Sequence, residues 1–401
     1  MILFFLSISL FIFSELTDAG AIEYILLCYF ILLSLIFFKG FKPRCVSPKL
    51  QPFIFVFSLL LIFNTTPLLE NDFNRYFIEA YYYLKGIDIY HVAPSTYFTK
   101  AEKLSVYFEN VGFPDIPSIY GFLTHLFHGF FVTLFSGKGI LWSLQTFYFI
   151  GLSIFAYLNR SMSLFLIFYL FREFVNSVHI DALSSFFLFV GIYFGFKDKF
   201  KSSLIFLALA LATKISVIIY IPFITVTFHN FKRASVQGFI VFLLIYSYHF
   251  LQLPAIEIFL NDWRWNSGIA SLFSVWAGSF SIVVVFIGFA LFCRFNLVLK
   301  RKLLFHFLGV LSLTHLLLSN TINGWYLVYP ILFFCFSNRK IAYHWIILIW
   351  PLCYAPWGNN DQMVLISTFL FHVAGWCLVI YESLRVKQKL KDLLDYGLIS
   401  N

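Results

Sequence analysis

Long apolar stretches alternate with short polar breaks along almost the whole chain. A helix needs about 20 mostly apolar residues to cross the hydrocarbon core of a bilayer. Stretches near this length recur so often that the pattern predicts about 11–13 membrane spans. We place them near residues 2–14, 22–38, 52–68, 117–136, 140–157, 182–196, 203–222, 236–252, 270–293, 303–318, 325–337, 341–355 and 362–381.

One region, residues 70–115, is much more polar than the rest. Its acidic residues are Glu70, Asp72, Glu79, Asp88, Glu102, Glu109 and Asp115. Helical spacing near its start gives an apolar stripe of Phe73, Phe77, Ala80, Tyr81 and Leu84, and an adjoining polar face of Asp72, Arg75, Tyr76, Glu79 and Tyr83. We therefore predict an amphipathic helix along the membrane surface, capped by Asn71 or Asp72 and ended by Gly86.

The composition supports a membrane protein. The 401 residues are 61% hydrophobic and 12% charged, with a mean hydropathy of +0.86, which does not suit a water-soluble globule. The fold class we predict is all-α: a polytopic transmembrane helical bundle with one amphipathic interfacial helix in its first large external loop. The six cysteines show no spacing typical of a metal site or a disulfide framework.

Basic residues in the polar breaks predict the orientation. The break at 39–50 carries four basic residues and no acid, and the break at 197–201 carries three lysines and one aspartate. Short loops rich in lysine and arginine stay cytoplasmic, so both breaks and the basic tail after Tyr381 are predicted inside. Residues 70–115 then lie outside. The net charge of +9 reflects this orientation, and we expect no nucleic-acid partner.

These patterns divide the chain into four predicted parts. They are 1–69, N-terminal transmembrane helices; 70–115, an external loop with the amphipathic helix; 116–382, a transmembrane helical core; and 383–401, a basic cytoplasmic tail. The number of crossings between residues 160 and 235 stays open, and the short apolar segment 163–171 suits a half-helix packed inside the protein. We expect a multi-pass protein of a bacterial inner or cell membrane.

Six sequence pieces, in order, resemble one enzyme superfamily. The first is NDFNRYFIEAYYYLKGIDIYHVAP (71–94), with an Asp-x-x-Arg-Tyr pattern at Asp72 and a turn at Gly86. The others are FPDIPSIYG (113–121), VHIDAL (178–183), ALATKISVIIYIP (210–222), WRWNSG (263–268) and TINGWYLVYP (321–330). Together they resemble GT-C superfamily membrane glycosyltransferases, especially the mannosyltransferase-like branch, although Phe122 and Gly324 stand where that family usually has proline.

The resemblance implies an enzyme that transfers a hexose, with mannose favoured, from a polyprenyl-phosphate carrier to a lipid or glycan acceptor on the non-cytoplasmic face. Its expected partners are this donor, the acceptor and membrane lipid. Such an enzyme uses no nucleotide sugar directly, which agrees with the absence of a glycine-rich phosphate loop in the sequence. No cofactor is implied with certainty. A divalent metal stays open, because a hard cation needs several convergent oxygens that the sequence does not show.

Asp72 is the predicted general base, because it follows a predicted span and lies within reach of an acceptor hydroxyl at the membrane boundary. The alternative is that it only caps its helix. Arg75 and Lys214 are the predicted ligands of the donor phosphate. An ionisable residue within an apolar segment, such as Lys214, is by default a functional candidate. The alternatives are a headgroup-binding arginine and a lysine that snorkels to the interface.

The predicted substrate-binding residues are polar or aromatic side chains of the same sequence pieces. His179 and Asp181 either orient the acceptor sugar or each other, or form a helix cap. The tryptophans offer stacking surface for a sugar, but tryptophans also anchor helices at the interface. The full set is Tyr76, Glu79, Asp115, Tyr120, His179, Asp181, Trp263, Asn266, Trp325 and Tyr326.

Two other classes of function stay open. A secondary transporter predicts internal repeats and broken helices around a midplane site; the sequence shows no repeat, although Lys214 suits such a site. A lipid-linked-sugar flippase or scramblase, or a non-catalytic partner subunit, would not need the carboxylate of Asp72.

A cysteine at position 95 tests the predicted orientation. Ser95 lies in the external loop, one span after the basic break at 39–50, so the thiol of Ser95→Cys should react with a membrane-impermeant reagent in intact cells. Lys199→Cys, in a break predicted to be cytoplasmic, should react only after permeabilisation. Protection of the thiol at position 95 until the membrane is permeabilised would place this loop inside.

Overall fold

The computed structural model describes residues 71–97, 111–158, 164–221, 301–319, 322–357 and 361–395, together with Val56, Pro67, Leu104, Tyr107, Phe223, Ile224 and Ala255. Within these residues the regular structure is entirely helical, with no strand, which confirms the all-α prediction. The predicted spans at 2–14, 22–38, 236–252 and 270–293, and nearly all of 52–68, lie outside the described residues.

The α-helices of the described ranges are α1 (Asp72–Leu84), α2 (Pro94–Tyr97), α3 (Phe122–Leu134), α4 (Lys138–Leu158), α5 (Leu164–Leu170), α6 (Asp181–Phe196), α7 (Phe200–Thr213), α8 (Arg301–Leu317), α9 (Val328–Phe336), α10 (Lys340–Ile349) and α11 (Asp361–Asp395). A π-helical segment, Phe171–Asn176, continues α5. Short 3₁₀ segments cover Ile215–Ile219, Gly324–Leu327 and Trp350–Trp357.

Two predicted boundaries change in the structure. The span predicted at 203–222 is interrupted at Lys214, whose backbone is extended (φ −148°, ψ 125°) between α7 and the 3₁₀ segment. The tail that was predicted to begin at residue 383 is not a separate segment in the structure, because α11 continues to Asp395. The residues of this extension are rich in leucine, lysine and arginine, which favour helix, and contain no glycine or proline.

The chain forms two compact units. Unit 1 consists of Met1–Ile116, Thr124–Ala182 and Tyr354–Val364, and unit 2 consists of Pro117–Leu123, Leu183–Cys353 and Leu365–Asn401.

Helix α1 is central to unit 1. Phe77 packs edge-on against Tyr107, with ring centroids 4.9 Å apart. On α3, a Cβ at Gly129 would lie 2.8 Å from a methyl carbon of Leu84, so the missing side chain permits close packing. Arg75, Tyr76 and Glu79 of the polar face, predicted to face the headgroups, are instead buried together with most of the apolar stripe. Asp72, Tyr81 and Tyr83 are partly exposed, and Leu84 at the last turn is exposed.

Helix α1 begins and ends where the sequence predicts, but the predicted capping hydrogen bond at its start is not formed. Gly86 adopts the left-handed φ of +80°, its N–H donates to the carbonyl of Tyr83, and Ile87 donates to the carbonyl of Tyr82. This pair of bonds is a Schellman motif, which glycine accommodates without strain. At the other end Asn71 occupies the cap position, but its side chain makes no capping hydrogen bond.

The described part of unit 2 contains an aromatic core and the buried carboxylate of Glu382. Phe189 of α6 contacts Phe333 and Phe336 of α9, with centroids 5.0 and 4.9 Å apart. Glu382 of α11 is fully buried. It accepts two hydrogen bonds from Arg339, at 2.9 and 2.6 Å, and lies 2.7 Å from Nε2 of His306 on α8. This carboxylate thus joins α8, α11 and the break between α9 and α10.

The segment Val364–Lys389 of α11 is long and apolar enough to cross a membrane by length and composition, and it is the one helix of the described residues that meets both criteria. Shorter apolar helices cover Phe122–Leu134, Asp181–Phe196, Phe200–Thr213, Leu303–Leu317 and Gly324–Phe336. Along α11, large apolar side chains are exposed at helical spacing, at Leu365, Phe369, Val373, Ile380 and Leu384.

The variant Glu382→Gln tests whether the charge of Glu382 stabilises the folded protein. Glu382→Gln keeps the side-chain shape but leaves the Arg339 guanidinium without its carboxylate, and breaking a buried ion pair costs about 3–5 kcal/mol. Because the Arg339 side chain is 15% exposed, we expect a loss near the lower end of that range in the free energy of unfolding in detergent. Lys391→Gln, exposed on the same helix, should change it by less than about 0.5 kcal/mol. An equally small change in the free energy of unfolding for Glu382→Gln and Lys391→Gln would contradict this interpretation.

Candidate active site: an acid–histidine–acid chain

A strained turn carries the central residue of the site. After the π-helical segment Phe171–Asn176, the chain passes through Val178, which is fully buried at φ +50°. A β-branched residue rarely adopts this conformation, which costs about 1–3 kcal/mol and persists only where the surrounding structure enforces it. Strained residues and π-helical turns both cluster at functional sites. The π-helical segment and the turn at Val178 place His179 in the interior of unit 1, just before α6 begins at Asp181.

His179 lies between two carboxylates. Its Nδ1 atom is 2.8 Å from Oδ2 of Asp181, and its Nε2 atom is 3.7 Å from Oδ2 of Asp72. The hydroxyl oxygen of Tyr76 is 3.1 Å from the same Nε2 atom. His179, Asp181 and Tyr76 are buried, whereas the Asp72 side chain is 19% exposed. These groups form a chain from a partly exposed carboxylate to a buried one, in which the 3.7 Å link between Asp72 and His179 is an ion-pair contact longer than a hydrogen bond.

The contacts assign the proton positions of the imidazole. Nδ1 of His179 lies 3.4 Å from the backbone nitrogen of Asp181, whose N–H donates toward it, and 2.8 Å from the Asp181 carboxylate. A carboxylate only accepts hydrogen bonds, so the shorter contact favours the tautomer with a proton on Nδ1. In the neutral ring, Nε2 then accepts from the Tyr76 hydroxyl. In the protonated ring, the positive charge lies between Asp181 and Asp72.

Arg75 and Glu79 fasten α1 to the loop that follows residue 112. Nε of Arg75 donates to Glu79 at 2.6 Å, and its terminal nitrogens donate to the carbonyls of Phe113 at 3.2 Å and Ile116 at 2.5 Å. Both side chains are buried. The predicted phosphate-binding arginine thus holds protein groups and positions the helix that carries Asp72. Asp115 lies in the same loop with an exposed side chain.

A second buried cluster was missed by sequence reasoning. Glu173 accepts a 2.6 Å hydrogen bond from the Tyr354 hydroxyl and pairs with Arg172 at 3.2 Å. The Arg172 guanidinium lies 4.5 Å from the centre of the Tyr354 ring. The carbonyl of Glu173 also accepts from the backbone N–H of His179. The cluster therefore braces the strained turn, and the signal that could have revealed it is two adjacent charges within an apolar stretch.

The other predicted residues of the described ranges belong to unit 2. Nζ of Lys214 lies 4.4 Å from the centre of the Tyr326 ring, a cation–π contact. Trp325 is buried beside Tyr326. The N–H of Gly121 donates to the carbonyl of Thr213, so Tyr120 is held next to the segment that carries Lys214. Trp263 and Asn266 lie outside the described residues.

Neither a metal centre nor a known relative assigns the chemistry. Among the described residues, no group of three or more histidine, cysteine, aspartate or glutamate side chains could hold a metal ion. No protein-family model matches the chain, and neither a curated protein nor a solved structure matches it. The geometry of the chain's own residues is therefore what bears on its function.

Two tyrosine-to-phenylalanine variants test whether the hydrogen bond from Tyr354 to Glu173 stabilises the turn at Val178. Tyr354→Phe removes a hydrogen bond to a charged group, which is worth about 1.5–3 kcal/mol, so the free energy of unfolding should fall by that amount. Tyr148→Phe is the matched control, because the Tyr148 hydroxyl is buried without a hydrogen-bond partner among the described residues. The control should be neutral or stabilising. Equal losses in both variants would show that the bond to Glu173 does not brace the turn.

Proposed function

We propose that the protein is a polytopic membrane glycosyltransferase that passes a hexose from a polyprenyl-phosphate carrier to a lipid or glycan hydroxyl on the non-cytoplasmic face. The observation that carries this proposal is the chain from Asp72 through His179 to Asp181. A general base must be accessible to its substrate and supported by groups that share the proton's charge. Asp72 is partly exposed at the end of such a chain. The resemblance of the six sequence pieces supports the same enzyme class.

Exposed apolar surface supports a multi-pass arrangement. On α3, Leu126, Phe130 and Leu134 are 44–60% exposed at successive turns, and α4 exposes a second stripe of Phe147, Ile150 and Ile154. Stripes of this kind are unfavourable in water, where large exposed apolar patches are rare, but they suit helices that face lipid. The same pattern on α11 supports the proposal that helices of both units contact the hydrocarbon.

The proposed reaction is a direct displacement at the anomeric carbon. Asp72 takes the proton of the acceptor hydroxyl while the acceptor oxygen bonds to that carbon. The bond between the anomeric carbon and the phosphate oxygen breaks, and its electron pair leaves with polyprenyl phosphate. General-base assistance of this kind is worth about 10²- to 10⁴-fold in rate.

His179 and Asp181 act on this step through Asp72. As the carboxylate of Asp72 gains the proton, the imidazole can share it, because Asp181 stabilises the positive ring that results. Tyr76 keeps the ring oriented through its hydroxyl. Donor-phosphate binding by Arg75 and Lys214 stays a prediction. Arg75 also positions α1, the helix that carries Asp72.

A proton-coupled transporter is the second candidate. Buried chains of acidic and histidine side chains also serve as proton relays in membrane pumps and transporters, and the chain through His179 has this form. The two candidates differ in outcome, because a transporter moves protons across proteoliposomes with its substrate and leaves that substrate chemically unchanged.

The variant Asp72→Asn distinguishes a catalytic role of Asp72 from a purely structural role. The amide keeps the size of the side chain but cannot take a proton, so transfer of radiolabelled sugar from polyprenyl-phosphate sugar should fall at least about 100-fold. Membrane insertion and donor binding should persist. Asp88→Asn is the matched control, since it removes an exposed carboxylate of the same region outside the His179 chain, and it should transfer sugar normally.

His179→Gln supplies an independent arm of this experiment. Glutamine can bond to Tyr76 but cannot become positively charged, so kcat should fall while KM changes little. Near-normal turnover by Asp72→Asn, at equal protein level in an assay where the unsubstituted protein transfers sugar, would remove Asp72 as the base and direct attention to Asp115. Proton flux without any sugar transfer would favour the transporter.

A further inference from the structure

Helix ends from four parts of the chain meet at one end of unit 2. Phe196, the last residue of α6, packs against Phe305 near the start of α8, with ring centroids 5.8 Å apart. Phe305 in turn packs against Phe336, the last residue of α9, at 5.5 Å. Arg339, three residues further along, binds Glu382 of α11. These contacts bring the breaks after α6 and α9 together with the final turns of α11.

The exposed side chains at this end are mostly basic. We define the basic face as the exposed residues Lys197, Lys199, Lys201, Lys340, Arg385, Lys387 and Lys389. Asp198 is an exposed acid among them, whereas the carboxylate of Glu382 is buried and paired with Arg339. The basic face thus carries seven exposed basic side chains and one exposed acid, Asp198.

Exposed tyrosines border the basic face on the apolar side. On α6, Nζ of Lys197 lies 5.9 Å from the Tyr193 ring centre, and on α11 the guanidinium of Arg385 lies 4.7 Å from the Tyr381 ring centre. Both tyrosines are more than 40% exposed, and Leu384, three residues after Tyr381 on α11, is 62% exposed. An order of apolar residues, then tyrosine, then lysine or arginine is typical of a membrane–water interface.

We propose that the basic face binds the phosphate groups of anionic phospholipids in the leaflet it meets. Each lysine or arginine near an anionic membrane surface strengthens binding by about fivefold, and this face presents such residues from three separate segments of the chain. A nucleic acid would also meet positive charge here, but it would leave the bordering tyrosines and leucine uncovered. This binding does not depend on the proposed transferase activity.

The experiment measures lipid preference around the full-length protein. The protein is reconstituted in phosphatidylcholine bilayers, and the binding of spin-labelled phosphatidylglycerol is compared with that of spin-labelled phosphatidylcholine. At about 0.1 M salt the unsubstituted protein should prefer phosphatidylglycerol, and the preference should weaken at about 1 M salt, where charges are screened over a few ångströms. The double variant Lys387→Gln with Lys389→Gln should reduce the preference at least about threefold, and so should Lys197→Gln with Lys199→Gln.

The matched control removes two lysines from unit 1. Lys85→Gln with Lys138→Gln deletes the same charge from exposed positions outside the basic face, and it should keep the full preference. Excess inorganic phosphate separates a lipid headgroup site from a site for free phosphate: a persistent preference supports the proposal, and its loss overturns it. Equal binding of the two lipids, an equal loss in the control, or displacement of lipid by RNA would also overturn it.

Discussion

Ionised side chains in an apolar helical protein are stable only where each has a partner, because an uncompensated buried charge costs several kcal/mol. This constraint organises both units. In unit 1, Arg75 pairs with Glu79 on successive turns of α1. In unit 2, the buried carboxylate of Glu382 gathers Arg339 and His306 from separate elements. Arg75 also holds α1 to the carbonyls of Phe113 and Ile116, and Glu382 holds α11 to α8 and to Arg339.

The same constraint shapes the proposed active site. His179 can sit at the centre of unit 1 because Asp181 accepts its Nδ1 proton and Tyr76 bonds to its Nε2 atom. The strain at Val178 is then offset by the contacts of the turn it begins. Asp72 differs from the other members of the chain because part of its carboxylate reaches the surface. A carboxylate that is supported from inside and accessible from outside suits proton transfer with a substrate.

Charges also separate along unit 2 according to their surroundings. The buried acid Glu382 lies within the helix that is apolar enough to cross a membrane, and it is neutralised there by Arg339. The exposed bases collect where the helices end. This separation gives one end of the unit a chemistry that matches anionic headgroups, while the exposed leucines and phenylalanines of α11 match the hydrocarbon.

The sequence by itself determined the features that depend on neighbours a few residues apart. These are the helical fold, the helix from Asp72 with its end at Gly86, and the placement of Asp72, Arg75 and Tyr76 on adjoining turns, since residues three or four apart share a helix face. Only the tertiary structure decided which distant groups meet them. Tyr76 bonds to His179 across 103 residues, and Glu173 to Tyr354 across 181. Hydrophobic periodicity records which face is apolar but not which helix packs against it, so these pairs, the burial of Arg75 and the break at Lys214 arose from packing.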